Sequence, residues 1–197
     1  MNPTRLWSVI VLAGGAGQRL GGADKAGLLV NGTSALERLL GGLPADMPVI
    51  VAGVERPTSR PVTFRQESPA GGGPVAGIAA ALTEVATSNA VIVATDMPWC
   101  APIITELMER FALLSADALV PVTIDGRQQM LCSAWRTAAL RRTINELGDP
   151  QGQAVRILVA LAAVDEWHLD ARQSALLADI DTPDDLTRAQ DEPPAVP

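Results

Sequence analysis

The sequence predicts an α/β fold, a three-layer α/β/α sandwich around a mainly parallel sheet. Three observations carry this. Short apolar runs of strand length alternate along the chain with longer stretches of helical composition. The chain has 197 residues, enough to bury a full core and few enough for one domain, which is assigned to residues 1–190. Hydrophobic residues make up 48% and charged residues 19%, the balance of a globular chain, and only the proline-bearing tail 191–197 is expected to be disordered.

The elements follow in order. Trp7–Leu12 is the first strand, and the apolar run that contains it is too short to span a bilayer. Because the run leads into glycines and cations and no cleavage site follows, it does not read as an export signal. Leu28–Val30 is a short extended piece ended by the turn Asn31-Gly32. Ser34 and Glu37 have capping-box spacing, which starts a helix running to Gly41. Pro48–Ala52 is the second strand, Arg56–Pro61 a surface connection and Val62–Phe64 a short strand. An alanine-rich helix is expected to reach Ala86 and Ala90–Ala94 to be a strand. Pro102 fits the first turn of a helix reaching Ser115. Leu119–Val122 reads as a strand, and Gln129–Trp135, after the Asp125-Gly126 turn, as a hairpin or edge strand. Helical composition runs from Thr137 to Leu147 and resumes over 154–162, Val164–Leu169 is a late strand, and Thr182-Pro183 is the start of a last helix.

The chemistry concentrates after the first strand. Gly14, Gly15, Gly17, Gly21 and Gly22 crowd the next segment, where Arg19 and Lys25 are the only cations. Glycines let backbone N–H groups converge on an anion, and the two cations neutralise it, so the segment reads as a cradle for a nucleoside triphosphate. It is not a P-loop, because Lys25 precedes Ala26 and no hydroxyl follows for magnesium. The dinucleotide fingerprint fails as well. Leu20 stands where the third glycine would be, and no acid ends the next strand.

Two acids complete the set. Asp96 follows a continuous apolar strand, and in an open parallel sheet that places it in the crevice beyond the strand ends. Asp181 precedes the last helix, where Asp179 and Asp181 either help to hold a metal or solvate the helix entrance. Mg²⁺ prefers one or two carboxylates plus substrate phosphates, which Asp96 and Asp181 supply. The second glycine-rich stretch, residues 66–77, is either a loop before a helix or a cover over a bound nucleotide, with Glu67 accepting hydrogen bonds from base or ribose. The reaction expected of this set is nucleotidyl transfer, which needs positioning and charge neutralisation more than a covalent nucleophile.

The net charge of −7 argues against nucleic acid or an anionic membrane as partner. Cys100 and Cys132 fit neither a disulfide framework nor a zinc site and read as buried thiols of a cytoplasmic protein. The single histidine, His168, reads as structural and not as a general base.

The segment 12–25 resembles the signature of the molybdenum cofactor guanylyltransferases: Leu-Ala-Gly-Gly, three variable residues, Arg-Met-Gly, one or two residues, Asp-Lys. Gly73-Pro74-Val75-Ala76-Gly77, Thr95-Asp96-Met97-Pro98 and the stretch from Asp181 to Leu186 are similar to further family motifs, so the likeness covers nearly the whole chain. It implies a Rossmann-like nucleotidyltransferase fold, GTP as co-substrate, Mg²⁺ as cofactor, and transfer of GMP to the terminal phosphate of molybdopterin or its molybdenum-bound form. By position, Leu12, Ala13, Gly14, Gly15, Glu67 and Gly77 would contact the nucleotide. Arg19 and Lys25 would take its phosphates, and Asp96 the metal, with Asp181 standing where the family usually has asparagine. Arg156 is the candidate for the pterin phosphate. Gly14 and the Asp24-Lys25 pair favour guanine over the cytidylyl relatives, which usually read Leu-Ala-Ala-Gly. The remaining alternatives are a phosphosugar or phospholactate nucleotidyltransferase and a catalytically silent nucleotide-binding assembly factor.

Overall fold

The structure, a computed structural model, describes residues 3–14, 24–191 and 194. Its strands are β1 (Trp7–Leu12), β2 (Leu29–Val30), β3 (Thr33–Ser34), β4 (Val49–Ala52), β5 (Thr63–Arg65), β6 (Asn89–Ala94), β7 (Ala118–Val122), β8 (Cys132–Arg136) and β9 (Val164–His168). β2 and β3 pair only with each other, around Asn31 and Gly32, both at positive φ as the tight turn requires. The other seven form one sheet in the order β5-β4-β1-β6-β8-β7-β9, parallel except at β8, which runs antiparallel to both its neighbours.

The longest apolar runs, β1 and β6, are paired at the middle of the sheet and buried along their whole length. Strands covered on both faces need no polar alternation, which explains their continuous apolar sequence. The polar groups within them are matched. Ser8 accepts a hydrogen bond from Thr87 Oγ1 at 2.8 Å, and Asn89 Oδ1 accepts one from Arg136 Nη1 at 3.0 Å.

The helices are α1 (Ala35–Gly42), α2 (Gly73–Leu82), α3 (Ala101–Phe111), α4 (Thr137–Leu147), α5 (Arg156–Ala160), α6 (Ala171–Leu176) and α7 (Pro183–Asp191). α2, α4 and α5 touch in sequence, with α2 on β1, β4 and β5 and α4 on β6 and β8. α1, α3 and α6 form a second group, with α3 on β7 and β8. These two helical layers around one sheet are the three-layer architecture expected from the sequence.

Several boundaries depart from expectation. Of the two readings of 129–135 the hairpin holds, since β8 runs antiparallel to the preceding β7, but β8 is an interior strand and not an edge: Cys132, Ser133, Ala134 and Trp135 are all buried, and the Trp135 indole donates to Ser133 Oγ at 2.9 Å. Pro121, which lacks an N–H, lies in β7 beyond the Ala118–Leu119 ladder with β8, where its carbonyl accepts from Gln129 N at 2.8 Å. α2 stops at Leu82, four residues short of Ala86, where the Thr83 hydroxyl turns back onto the Ala80 carbonyl at 2.7 Å. α3 ends at Phe111, four residues before Ser115, and Arg136 caps the following turn through the Leu114 carbonyl at 2.6 Å. α5 is shorter than the 154–162 expected, and α6, closed by a capping box between Asp170 and Gln173, was not anticipated. Ser34 does cap α1, accepting from the Glu37 N–H, but the Glu37 carboxylate turns outward to the Ser59 N–H, so the box is half made. Asp191, assigned to the tail, is the last residue of α7.

Candidate active site

The chain leaves β1 to build β4 and β5 on one side and returns through α2 to β6 on the other. That reversal of direction makes the crevice beyond the ends of β1 and β6 the place where an open sheet of this kind binds ligands. The crevice is held together by backbone. The Leu12 carbonyl accepts from Thr95 N at 3.1 Å and from Thr95 Oγ1 at 3.3 Å, and Ala13 N donates to the Ala52 carbonyl at 2.9 Å. A Cβ on Gly53 would lie 3.2 Å from that of Ala13, so the ends of β1 and β4 approach closely. Leu12 and Ala13 are buried, whereas Gly14 is exposed at the mouth, with no atom of the described residues within 4 Å of where a Cβ would be. Gly15 and Arg19 lie outside the described residues.

Lys25 opens a 3-10 turn, Lys25–Gly27, that is capped by Asp24, whose Oδ1 accepts from Ala26 N at 3.2 Å. Its ammonium lies between the two acids singled out in the sequence. Asp96 Oδ2 is 3.1 Å away, and Asp181 Oδ1 forms a second, shorter ion pair. The two acids come from distant parts of the chain, one from its middle and one from near its C-terminus. Asp96 sits in the turn after β6. Asp181 is delivered by the segment before α7, which is fastened to that turn by Ile180 N donating to the Asp96 carbonyl at 2.9 Å. Thr182 and Asp185 then close α7 reciprocally. Asp185 Oδ2 accepts from Thr182 N at 2.9 Å, and Thr182 Oγ1 accepts from Asp185 N at 3.2 Å. Of the two acids left open at this helix entrance, Asp181 turns into the crevice, while Asp179 turns away to pair with Arg127 at 3.0 Å.

The side chains of Lys25, Asp96 and Asp181 are 18%, 21% and 33% exposed, so the charges interact in a partly desolvated site. Burial raises the Asp96 carboxyl above its ordinary value, an effect only partly opposed by Lys25 and reinforced by Asp181 and Asp179. For Lys25 burial works against the charge, but Asp181 and Asp96 outweigh it and hold the ammonium above its ordinary value. Asp96 is therefore a carboxyl whose charge burial disfavours and Lys25 only partly restores.

Two carboxylates converging on one cation are a donor set that fits Mg²⁺, a hard ion content with one or two protein carboxylates if phosphates supply further oxygens. Among the described residues no group of three or more His, Cys, Asp or Glu side chains is assembled to hold a metal.

The second glycine loop meets the same crevice. Gly77 in α2 packs with its Cα side against Leu12 and Ala52, where a Cβ would come within 3.4 Å and 3.5 Å of their side chains, and within 3.9 Å of Glu67 Oε2. Glu67 Oε1 accepts from the N–H groups of Gly71 at 2.9 Å and Gly72 at 3.2 Å. The carboxylate thus shapes its own loop with one oxygen. Arg156 is exposed at the start of α5. His168 is not a buried structural residue: it is exposed on the edge strand β9, 3.6 Å from Glu166.

Residues 9–179 match the family described as the MobA-like NTP transferase domain. The chain belongs to that family. Two relatives named "Probable molybdenum cofactor guanylyltransferase" align with most of it. One, from Chloroflexus aggregans, is 28% identical over 94% of each chain. The other, from Pelotomaculum thermopropionicum, is 30% identical over 92% of this chain and 90% of its own. Among solved structures, the molybdopterin-guanine dinucleotide biosynthesis protein A of Archaeoglobus fulgidus superposes with a TM-score of 0.71 at 24% identity, covering 93% of this chain and 96% of that one. The 2-C-methyl-D-erythritol 4-phosphate cytidylyltransferase of Thermus thermophilus superposes at 0.68 and 20% identity, covering 93% and 96%. These two share the fold. The protein is accordingly a nucleotidyltransferase, an enzyme of molybdenum cofactor guanylyltransferase kind, as the resemblance in its motifs implied.

In this MobA-like transferase two contributors escaped sequence reasoning. Thr95 ties the end of β6 to β1 through both its N–H and its hydroxyl, and its position just before the acid was the only signal. Arg56, read only as part of a surface connection, pairs with Asp24 next to Lys25. No local pattern marks that contact, because the two residues are 32 apart in sequence.

Proposed function

We propose that this nucleotidyltransferase transfers GMP from GTP to the terminal phosphate of molybdopterin, free or molybdenum-bound, and releases pyrophosphate. The observation that carries the reading is the meeting of Lys25 with Asp96 and Asp181 at the reversal point of the sheet. Guanine and the pterin acceptor are supported by the motif likeness and by the names of the relatives.

In this reading the Leu12–Gly14 backbone receives the nucleotide, and the exposed Gly14 leaves room for it. Lys25, held at the crevice by its ion pairs, turns from the carboxylates to the triphosphate as the nucleotide arrives. Asp96 and Asp181 would then hold Mg²⁺, which would supply charge neutralisation for the phosphates. An oxygen of the acceptor phosphate attacks the α-phosphorus, and the bond to the β-phosphate oxygen breaks. Lys25 and Arg19 neutralise charge on the departing pyrophosphate. Glu67 offers its second oxygen to the guanine N1–H and N2–H or to the ribose, and Arg156 reaches for the pterin phosphate. Free, buried Cys100 and Cys132 support a reducing, cytoplasmic setting. Among the described residues no helix is long and apolar enough to cross a membrane.

The test is pyrophosphate release with each of the four ribonucleoside triphosphates, with and without molybdopterin. Release with GTP that depends on molybdopterin is expected. Equal release with CTP would defeat the guanine assignment, and release without the pterin would defeat the acceptor.

A further inference from the structure

The Asp-Lys pair of the glycine-rich segment divides its work in an uneven way. Lys25 faces the crevice, but Asp24 neither faces the other acids nor helps to neutralise Lys25. One of its oxygens caps the turn at Ala26 N, and the other pairs with the Arg56 guanidinium. Arg56 lies four residues beyond the end of β4, on a connection that is itself firmly anchored. Ser59 N donates to both Glu37 carboxylate oxygens at 3.0 Å and 3.3 Å. The Arg60 guanidinium donates to the carbonyls of Leu43, Ala45 and Met47 at 3.2 Å, 2.9 Å and 2.8 Å. Arg56 Nε adds a longer contact to the Val54 carbonyl at 3.5 Å. A third residue is built around the ion pair. A Cβ on Gly27, the last residue of the same turn, would stand 2.9 Å from Asp24 Oδ2 and 3.5 Å from Arg56 Nη1, so a side chain there would push the Asp24 carboxylate out of its present place.

We propose that Arg56 is a positioning residue for Lys25: it anchors Asp24 to the end of β4, and the clamped turn aims the Lys25 ammonium into the crevice. This rests on the reading of the crevice as a nucleotidyl-transfer site. The argument is one of geometry. A lysine has a long, flexible stem, and its charge is useful in a transition state only if its backbone is fixed at the right distance. Ala26 buries the middle of the turn in the core, against α1, whereas Asp24 is exposed at its start. The ion pair to the β4 connection fastens that exposed start directly beside Lys25. As an exposed pair it contributes little to global stability, which separates its positioning role from a structural one.

The experiment is a set of double-mutant cycles read by kinetics and by amide exchange. Arg56→Ala is expected to lower kcat for GMP transfer at least fivefold, with the number of nucleotide sites counted by calorimetry unchanged, and Arg56→Lys to recover most of the loss. In a Lys25→Ala background, Arg56→Ala should cost nothing further, because the residue it positions is gone; a merely structural role would lower activity in both backgrounds alike. Exchange of the Ala26 amide, which Asp24 caps, should accelerate at least fivefold in Arg56→Ala and Asp24→Asn without any nucleotide present. Additive losses for Arg56→Ala and Lys25→Ala, or no rescue by lysine, would overturn the proposal. If the wild-type enzyme transfers nothing from GTP, the functional reading fails, and the amide exchange alone then decides the clamp: unchanged exchange overturns it.

Discussion

Lys25 is the residue on which the site turns. Its charge neutralises two carboxylates in the crevice and is expected to serve a triphosphate there as well, so its removal touches both roles. Lys25→Ala is expected to lower turnover at least about tenfold while circular dichroism shows the fold intact. Arg19→Lys should not recover full activity, since a point charge replaces a planar fork that can hold two phosphate oxygens. Asp96 behaves differently in stability. Burial raises its pKa, so the ionised form is disfavoured in the folded state relative to the unfolded chain, and the cost is present at any pH above the raised value. Asp96→Asn removes that charge while keeping the size, and is expected to abolish transfer with a melting temperature equal to or above that of the wild type. A clear drop in melting temperature would show that the Lys25 ion pair outweighs burial. All three residues of this cluster were legible as residues, because an acid just after an apolar strand and a cation just after a glycine run have only one edge of a parallel sheet to face. The partnership of Arg56 with Asp24 was not, since it depends on how two loops are laid side by side.

At the scale of elements, the placement of Asp181 depends on the start of α7. Thr182 and Asp185 cap each other there, and the Asp185 carboxylate also accepts from Asp181 N at 3.3 Å. Thr182→Ala is expected to weaken this helix end by about 1 kcal/mol and to lower turnover along with it. The check is faster amide exchange over residues 183–191 with little change elsewhere. The cap also sets a pH dependence. The Thr182 hydroxyl above all, helped by the Thr182 and Asp181 backbone N–H groups and by Arg188, holds the Asp185 carboxyl below its ordinary 3.8 against an opposing effect of burial. A carboxyl lowered in the folded state gives stability that is fully present above its unfolded value and lost as pH falls through the folded one. α7 should therefore fray first at acid pH, and Asp185→Asn should remove that sensitivity. The Thr-Pro-Asp-Asp run announced this helix openly in the sequence. α6 was invisible by comparison: six residues, Ala171–Leu176, are too few to show a helical period. The interior position of β8 was equally hidden, because a buried run of five residues reads the same at an edge as between two neighbours, and only the pairing decides.

For the whole molecule, the order of the sheet is what makes a site from distant residues. β1 and β6, adjacent and parallel, end together, and the crevice above them gathers the segment after β1, the turn after β6 and the return of the chain before α7. This architecture followed from the alternation of apolar runs with helical stretches, whereas the choice of guanine and pterin rests on likeness to relatives. Because Lys25 pairs with both acids, removing Mg²⁺ with a chelator should stop transfer reversibly while leaving the melting temperature unchanged. A fall in melting temperature on chelation would mean that the metal, and not Lys25, holds the crevice together.

The central claim is that Lys25, Asp96 and Asp181 form the nucleotidyl-transfer centre, with lysine and metal exchanging places on the two acids. It is tested most directly by a crystal structure of the protein with Mg²⁺ and a non-hydrolysable GTP analogue. The expected result is a metal ion about 2.1 Å from an Asp96 oxygen, with the Lys25 ammonium moved from the carboxylates onto the phosphates. A metal bound beyond coordination distance of Asp96, or a triphosphate lying away from the crevice above β1 and β6 with Lys25 still paired to both acids, would contradict it.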